Sequence, residues 1–215
     1  MLVLAIDTSG SGCSAALYDT GTDGVLGEAG AEIGRGHAER LMDFIDEALA
    51  AAGHDLADVG RIAVTVGPGS FTGIRVGVAA ARGLALALGV PAVGVTTLSA
   101  LAATRAKDKP LLVVMDARRG EVYCQAFAAG GVALSAPALL SVDDARALAA
   151  GHDGDIAGSA AAMLREDALP ETDAVDIAAV ARLGARLDPE EHRPKPLYLR
   201  GPDARPQAGF SIRRA

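Results

Sequence analysis

An apolar run, Arg61 to Val66, leads through Gly67-Pro68-Gly69-Ser70-Phe71-Thr72-Gly73 into an alanine-rich apolar run, Ile74 to Leu88. The first run has the length of a buried strand and the second that of a helix, so the glycine-rich stretch is a strand-to-helix turn. Such a turn aims backbone N–H groups at whatever lies beyond the helix N-terminus, a natural place for an anion. This loop has no lysine, so it is not a GxxxxGK[ST] phosphate loop, and it lacks the GxGxxG dinucleotide spacing. Ser70 and Thr72 read more simply as helix N-caps. Along the helix, Gly73, Gly77 and Ala81 recur at i, i+4 and i+8 and share one face. Only Arg75 and Arg82 interrupt an otherwise apolar circumference that includes Leu84. A helix apolar almost all round is buried on more than one side. The expectation is an interface helix whose Gly73, Arg75, Gly77, Ala81, Arg82 and Leu84 meet a partner.

Composition narrows the classes. The chain has 215 residues, half of them hydrophobic but only 3% aromatic. Its core is therefore built from Ala, Val and Leu, which favours close-packed α/β layers over an aromatic core. A net charge of −7 argues against this chain as the principal nucleic-acid binder, which needs a concentrated basic face. Cys13 and Cys124 lie in strand-like segments and read as buried thiols. No Cys/His cluster has metal-ligand spacing. The N-terminus starts directly with a strand and has no basic leader. Gly83 to Thr104 is uncharged, but Gly89, Pro91 and Gly94 break it as a membrane span. The expectation is a cytoplasmic chain with no membrane segment, no metal and no cofactor of its own.

Leu2 to Thr8, Cys13 to Asp19 and Val25 to Ile33 read as three strands. Helix Ala38 to Ala52 follows, with Leu41, Ile45 and Ala48 on its apolar stripe and Gly53 stopping it. Strand Ile62–Val66, helix Ile74–Leu88, strand Ala92–Val95 and helix Leu98–Arg105 complete the first half. A meander followed by α/β crossovers makes a mixed sheet covered by helices. The second half begins the same way. Strand Leu111–Met115 ends in Asp116, Arg118-Arg119-Gly120 turns, and strand Glu121–Ala128 returns. Asp7 and Asp116 thus hold matching places in a weak internal repeat. Helix Ser141–Ala150 with Ser141 as cap, strand Asp155–Ala157, helix Ala174–Leu187 and an irregular tail from Pro189 follow. The expected division is an N-terminal lobe over residues 1–106 and a smaller C-terminal lobe over residues 107–215.

Two lobes that each open with strand, Asp, turn and strand resemble the actin-like ATPase and ribonuclease H-like architecture. Read together, Leu4–Ser9, Gly36–Leu41, Gly67–Arg75, Met115–Tyr123 and Pro196–Arg200 resemble the TsaB (YeaZ) family over Met1 to about Arg200. That family takes part in threonylcarbamoylation of adenosine 37 of tRNA. The resemblance implies a non-catalytic subunit with a degenerate nucleotide site. It implies a TsaD-like catalytic subunit and a TsaE-like ATPase as partners, and a homodimer when alone. Contact with tRNA would come only through the complex. It also implies that the two helices carrying Leu41, Ile45 and Ala48, and Gly73 to Leu84, form the partner interface.

The residues leave an enzyme as the alternative: a metal-dependent glycopeptidase (M22-like) or a small-molecule kinase using the inter-lobe cleft at Asp7, Asp116 and Arg118. Against the kinase, Arg118 and Arg119 fill the second turn where backbone amides would have to approach a phosphate. Ala157-Gly158-Ser159 is a poor adenosine-side glycine segment. Against the peptidase, His37 has Leu41 at i+4 and no second histidine in reach. Asp7 and Asp116 read most simply as turn caps at strand ends. Arg118 is the stronger candidate of the two arginines for assembly, with Asp7 across the cleft as an internal anion, or a partner's carboxylate or a nucleotide phosphate as an external one.

Overall fold

The computed structural model describes residues 1–166, 168 and 172–201. The first sheet has the strand order β3-β2-β1-β4-β5, formed by β1 Leu2–Asp7, β2 Gly12–Asp19, β3 Gly24–Glu32, β4 Val59–Thr65 and β5 Ala92–Val95. β1 runs antiparallel to β2 and parallel to β4, so the meander and the crossovers share one mixed sheet. Between the strands lie α1 His37–Ala52, α2 Phe71–Leu88 and α3 Thr97–Arg105. The second sheet, β8-β7-β6-β9, comprises β6 Leu111–Arg118, β7 Glu121–Phe127, β8 Ala138–Ser141 and β9 Asp155–Ala157. β6 is likewise antiparallel to one neighbour and parallel to the other. The internal repeat is thus a repeat of topology: each sheet holds a strand that carries an aspartate at or near its C-terminal end, Asp7 in β1 and Asp116 in β6, between an antiparallel and a parallel neighbour. α4 Val142–Ala150, α5 Ala161–Leu164 and α6 Ile177–Arg186 complete the described elements.

Local chemistry sets the helix ends. Ser70 Oγ accepts from Gly73 N at 3.2 Å, so α2 starts at Phe71, three residues before the apolar run. Thr72 lies inside the helix and caps nothing. Thr96 and Ser141 cap α3 and α4 in the same way. Gly53 and Gly89 end α1 and α2 in the left-handed region, where glycine has no Cβ to clash.

One face of the first sheet is covered by α1 and α2. Leu4, Ile6, Ala15, Leu17, Ile62 and Val64 meet Leu41, Phe44, Ile45, Ala48, Ile74, Val78 and Ala81 there. The opposite face is covered by α6, through Val3, Ala5, Ala16 and Ala63 against Ile177, Val180 and Ala181. Packing therefore departs from a single cut at 106/107, because α6 returns from the C-terminal half to the first sheet. Arg61 holds it there: Nη1 donates to the carbonyls of Gly184, Ala185 and Leu187, each at 3.0 Å. A cation at a helix C-terminus satisfies carbonyls that the helix leaves open. Beyond α6 the chain forms no helix or strand as far as Gly201. The part of the expected irregular tail from residue 202 on lies outside the described residues. Residues 192–201 form a strap: Gly94 N donates to His192 O, Leu197 N donates to Val66 O, and Arg200 ion-pairs with Glu121 of the second lobe.

Candidate functional site: an inter-lobe cleft and an outward helix

The aspartate ends of β1 and β6 face each other across a cleft of about 1470 Å³. Asp7, Asp116 and Arg118 all line it, with Ser9 to Ser14, Thr97, Ser159 and Asp173. Both repeat aspartates hold their own turns. Asp7 Oδ1 accepts from Ser9 N at 3.0 Å, from Ser9 Oγ at 2.7 Å and from Thr65 Oγ1 at 2.6 Å. Asp116 Oδ1 accepts from Arg118 N at 2.7 Å, the same i to i+2 turn. Arg118 does not reach across to Asp7. Its Nη1 lies 3.0 Å from Asp116 Oδ2, on its own turn, and its side chain is largely exposed. The short path back explains this: Arg118 (φ 65°) and Arg119 (φ 59°) both adopt the left-handed conformation around a bulge, which folds Arg118 onto Asp116.

The second lobe adds a pair that the sequence reading does not include, Ser159 and Asp173. Ser159 Oγ donates to Asp173 and accepts from Asp116 N at 2.9 Å, while Ser159 N donates to Asp173 Oδ1 at 2.9 Å. Burial raises the Asp173 carboxyl above the usual range, against the lowering effect of the Ser159 hydrogen bonds. The signal was present in the repeat: Gly158-Ser159 follows β9 as Gly67 to Ser70 follows β4. His37 is neither a cap nor a surface residue. It is buried, and its Nε2–H points at Gly10 O (3.2 Å) and Gly12 O (3.1 Å), pinning α1 to the first cleft turn. Among the described residues, no group of three or more His, Cys, Asp and Glu side chains is placed to hold a metal ion.

The cysteines are buried and free. Burial pushes Cys13 up to about 11, with the Asp7 charge adding to it, and burial alone pushes Cys124 up to about 11. At pH 8 an ordinary cysteine is roughly one-quarter thiolate, and thiols so shifted are about a thousandth thiolate. Iodoacetamide is therefore expected to label the native protein at least ~100-fold more slowly than the guanidinium-unfolded chain, in which both thiols react. Rapid native labelling of Cys13 would show that the cleft opens to its thiol.

The interface expectation needs correction at six positions. Leu41, Ile45 and Ala48 are buried under the first sheet, and so are Gly73, Gly77 and Ala81. The small residues serve close approach of α2 to β1 and β4, not to a partner. Leu84 is half-buried against the same core. Arg75 and Arg82 do point outward, with Phe71, Ala79 and Leu86. α2 is the one described helix long and apolar enough to span a membrane, and only a third of it is buried. Its outward face is thus uncovered within this chain and mixes the two arginines with exposed apolar side chains, Leu86 at 85% exposure. Arg75 is held in place there. Its guanidinium lies 3.8 Å from the Phe71 ring centre, and its Nε donates to Tyr198 Oη at 2.8 Å.

Residues 23–200 match the family model described as TsaD: tRNA N6-adenosine threonylcarbamoyltransferase. The chain is 40% identical over 131 residues to the tRNA threonylcarbamoyladenosine biosynthesis protein TsaB of Escherichia coli, over 57% of this chain and 53% of the relative. It spans about half the length of the relatives that carry the TsaB name. An uncharacterised protein of Mycobacterium tuberculosis, Rv3421c, is 39% identical over 210 residues, 96% of this chain and 95% of that one. YeaZ from Pseudomonas aeruginosa superimposes with a TM-score of 0.73 at 28% identity, over 92% of this chain and 99% of that chain. A second crystal structure, described as an uncharacterised protein with similarity to peptidase YeaZ from Pseudomonas aeruginosa, gives 0.75 at 27% identity, over 93% and 99%.

Proposed function

Because this chain belongs to the TsaB (YeaZ) family, we propose that it is the non-catalytic scaffold that binds and activates a TsaD-type threonylcarbamoyltransferase. The product is N6-threonylcarbamoyladenosine at position 37 of tRNAs that read codons beginning with A. A TsaE-type ATPase joins the complex, and tRNA is reached through the catalytic subunit. The chain acts in the cytoplasm and pairs with itself when the partner is absent. The observation that carries this reading is the outward face of α2. A helical surface with large exposed apolar side chains beside ordered arginines is of the kind that another protein covers. The interface set moves accordingly, from the buried small residues to Phe71, Arg75, Ala79, Arg82 and Leu86.

The size of the cleft, with Asp7, Asp116 and Asp173 on its walls, favours the enzyme reading instead. Two measurements separate them. The chain is expected to co-purify with the TsaD-like subunit of the same cell, and modification of tRNA in the reconstituted system is expected to require it. Calorimetry of the lone chain with ATP and Mg²⁺ is expected to show no tight binding. Undiminished modification without this chain, or tight nucleotide binding by the chain alone, would turn the assignment toward an enzyme.

A further inference from the structure

The strap, residues 192–201, touches both lobes and forms one wall of the cleft through Leu197 to Gly201. Most of it is anchored to the first lobe. Gly94 N donates to His192 O at 2.7 Å, and Leu197 N donates to Val66 O at 2.8 Å. The fit beneath it is close: a Cβ at Gly94 would stand 3.3 Å from Pro194 Cα. Tyr198 closes the anchored part. Its ring lies 5.2 Å from that of Phe71, and its Oη accepts from Arg75 Nε at 2.8 Å. Two residues later the strap reaches the second lobe. Arg200 ion-pairs with Glu121, the first residue of β7, and its Nη2 also donates to Arg118 O at 3.4 Å. The two side chains are 24% and 38% exposed, so solvent screens this pair less than it screens the open pairs on α1 and α4. Arg200 also meets an unusual backbone. Arg118, Arg119 and Gly120 hold φ of 65°, 59° and 76°, three left-handed residues in succession. For arginine this conformation is costly and persists only where the surroundings over-determine it. Asp116 Oδ1 holds the start of the turn, accepting from Arg118 N at 2.7 Å. Val142 N holds its end, donating to Gly120 O at 3.0 Å, and Arg200 holds it from the strap.

We infer that Arg200 and Glu121 form an inter-lobe latch, which fixes the width of the cleft and keeps the Arg118-Arg119-Gly120 turn in its left-handed form. Released, the strap stays on the first lobe, where its other bonds are, and the second lobe moves away with α3. α3 is built as the hinge. Its first residue is tied to the first lobe, with Thr97 N donating to Gly67 O at 2.8 Å. Its body packs on the second sheet, Leu98 and Leu101 against Leu111, Val113 and Phe127. Hinges of this kind lie at element ends, where a few residues absorb the rotation. The latch is a property of the lone chain and goes beyond the scaffold reading, on which it does not depend.

The test is the distance between spin labels on the two lobes of the full chain, read by double electron–electron resonance. Labels go on Glu47→Cys in α1 and Ala147→Cys in α4, both exposed, while Cys13 and Cys124 are buried. In this background the latch variants are Arg200→Gln, Glu121→Gln, Arg200→Glu, and the charge swap Arg200→Glu with Glu121→Arg. Both glutamine variants are expected to give a longer mean distance and a broader distribution than wild type. Arg200→Glu, which sets two carboxylates against each other, should give the largest change, and the swap should restore the wild-type distribution. Trypsin reads the turn separately. Cleavage after Arg118 or Arg119, identified from fragment masses, is expected to be ~2–5-fold faster in the glutamine variants, the factor by which losing a partly exposed ion pair shifts a local opening. Wild-type distances in the single variants would overturn the inference, even with a lowered melting midpoint, since the pair would then add stability without setting the cleft. A change in the single variants that the swap leaves in place would also overturn it, because packing and not the ion pair would hold the lobes.

Discussion

Gly73→Ala is expected to destabilise the protein by about 3 kcal/mol or more, by overpacking. A Cβ at Gly73 would stand 2.0 Å from the carbonyl oxygen of Thr8, a backbone atom of the residue that directly follows β1. At Gly77 it would stand 2.3 Å from Thr8 Oγ1 and 3.3 Å from Val64 Cγ2. Thr8 cannot turn away at low cost: it is fully buried and its Oγ1 donates to Gly73 O at 2.7 Å. Relief requires α2 to lift from β1 and β4, and that opens the core around Ile74, Val78 and Ala81. Gly77→Leu would be worse, and its failure to bind a partner would report unfolding and not a blocked interface. Gly83, on the same helix but with open space at its Cβ, is the control. Gly83→Ala should stabilise by up to ~1 kcal/mol, because alanine loses less backbone freedom in a helix. Thermal denaturation checks both: a fall of roughly 6–12 °C or more for Gly73→Ala, and no fall for Gly83→Ala. A well-folded Gly73→Ala protein with an unchanged midpoint would mean that α2 does not sit this close to the strand.

That contrast also marks what the sequence could and could not convey. Periodicity identified Gly73, Gly77 and Ala81 as sharing a face, because 3.6 residues per turn is a local property. It could not say what covers the face, which depends on where β1 lies sixty residues earlier. The strands of the first sheet were legible as apolar runs bounded by turn residues, and their order followed from a meander plus crossovers. β8, Ala138–Ser141, leaves no sequence mark: three half-buried residues and an exposed Ser141 show no alternation to read. The three-residue error at the start of α2 has the opposite cause. Phe71-Thr72-Gly73 has loop-like composition, yet the Ser70 cap starts the helix ahead of it. α6 is legible as a helix, but its periodicity shows only that one face is buried and not against which sheet, and in the structure that sheet is the first. In the cleft, Asp7 and Asp116 were found through their repeat. Asp173 was missed because it sits in a loop and meets Ser159 only through the fold. Within the chain Arg118 meets Asp116 and not Asp7, because the left-handed backbone that folds it onto its own turn is rare for arginine and leaves no sequence mark.

Asp7 is where the structural and catalytic accounts of the cleft part company, and Asp7→Ala is expected to cost about 2–4 kcal/mol of stability. One carboxylate oxygen accepts three hydrogen bonds, from Ser9 N, Ser9 Oγ and Thr65 Oγ1, in a site 5% exposed. Truncation leaves all three donors buried without an acceptor, and each pays its own desolvation. Thr65→Val removes one donor and leaves the acceptor served, so it should cost only about 1 kcal/mol. Asp7→Asn keeps an oxygen at the Oδ1 position and should fall between the two. The modification rate, measured per folded complex, should stay within a few-fold of wild type for Asp7→Asn. A lost general acid or base typically lowers the rate ~10²–10⁴-fold. The measurements are a denaturation midpoint for each variant and a tRNA modification time course with the catalytic subunit in excess. Stability losses ordered Ala, Asn, then Thr65→Val, with rates tracking the folded fraction, are what a turn-holding aspartate produces. A stable, partner-bound Asp7→Asn protein with a hundredfold slower rate would make Asp7 a participant in the chemistry and would return the cleft to the enzyme reading.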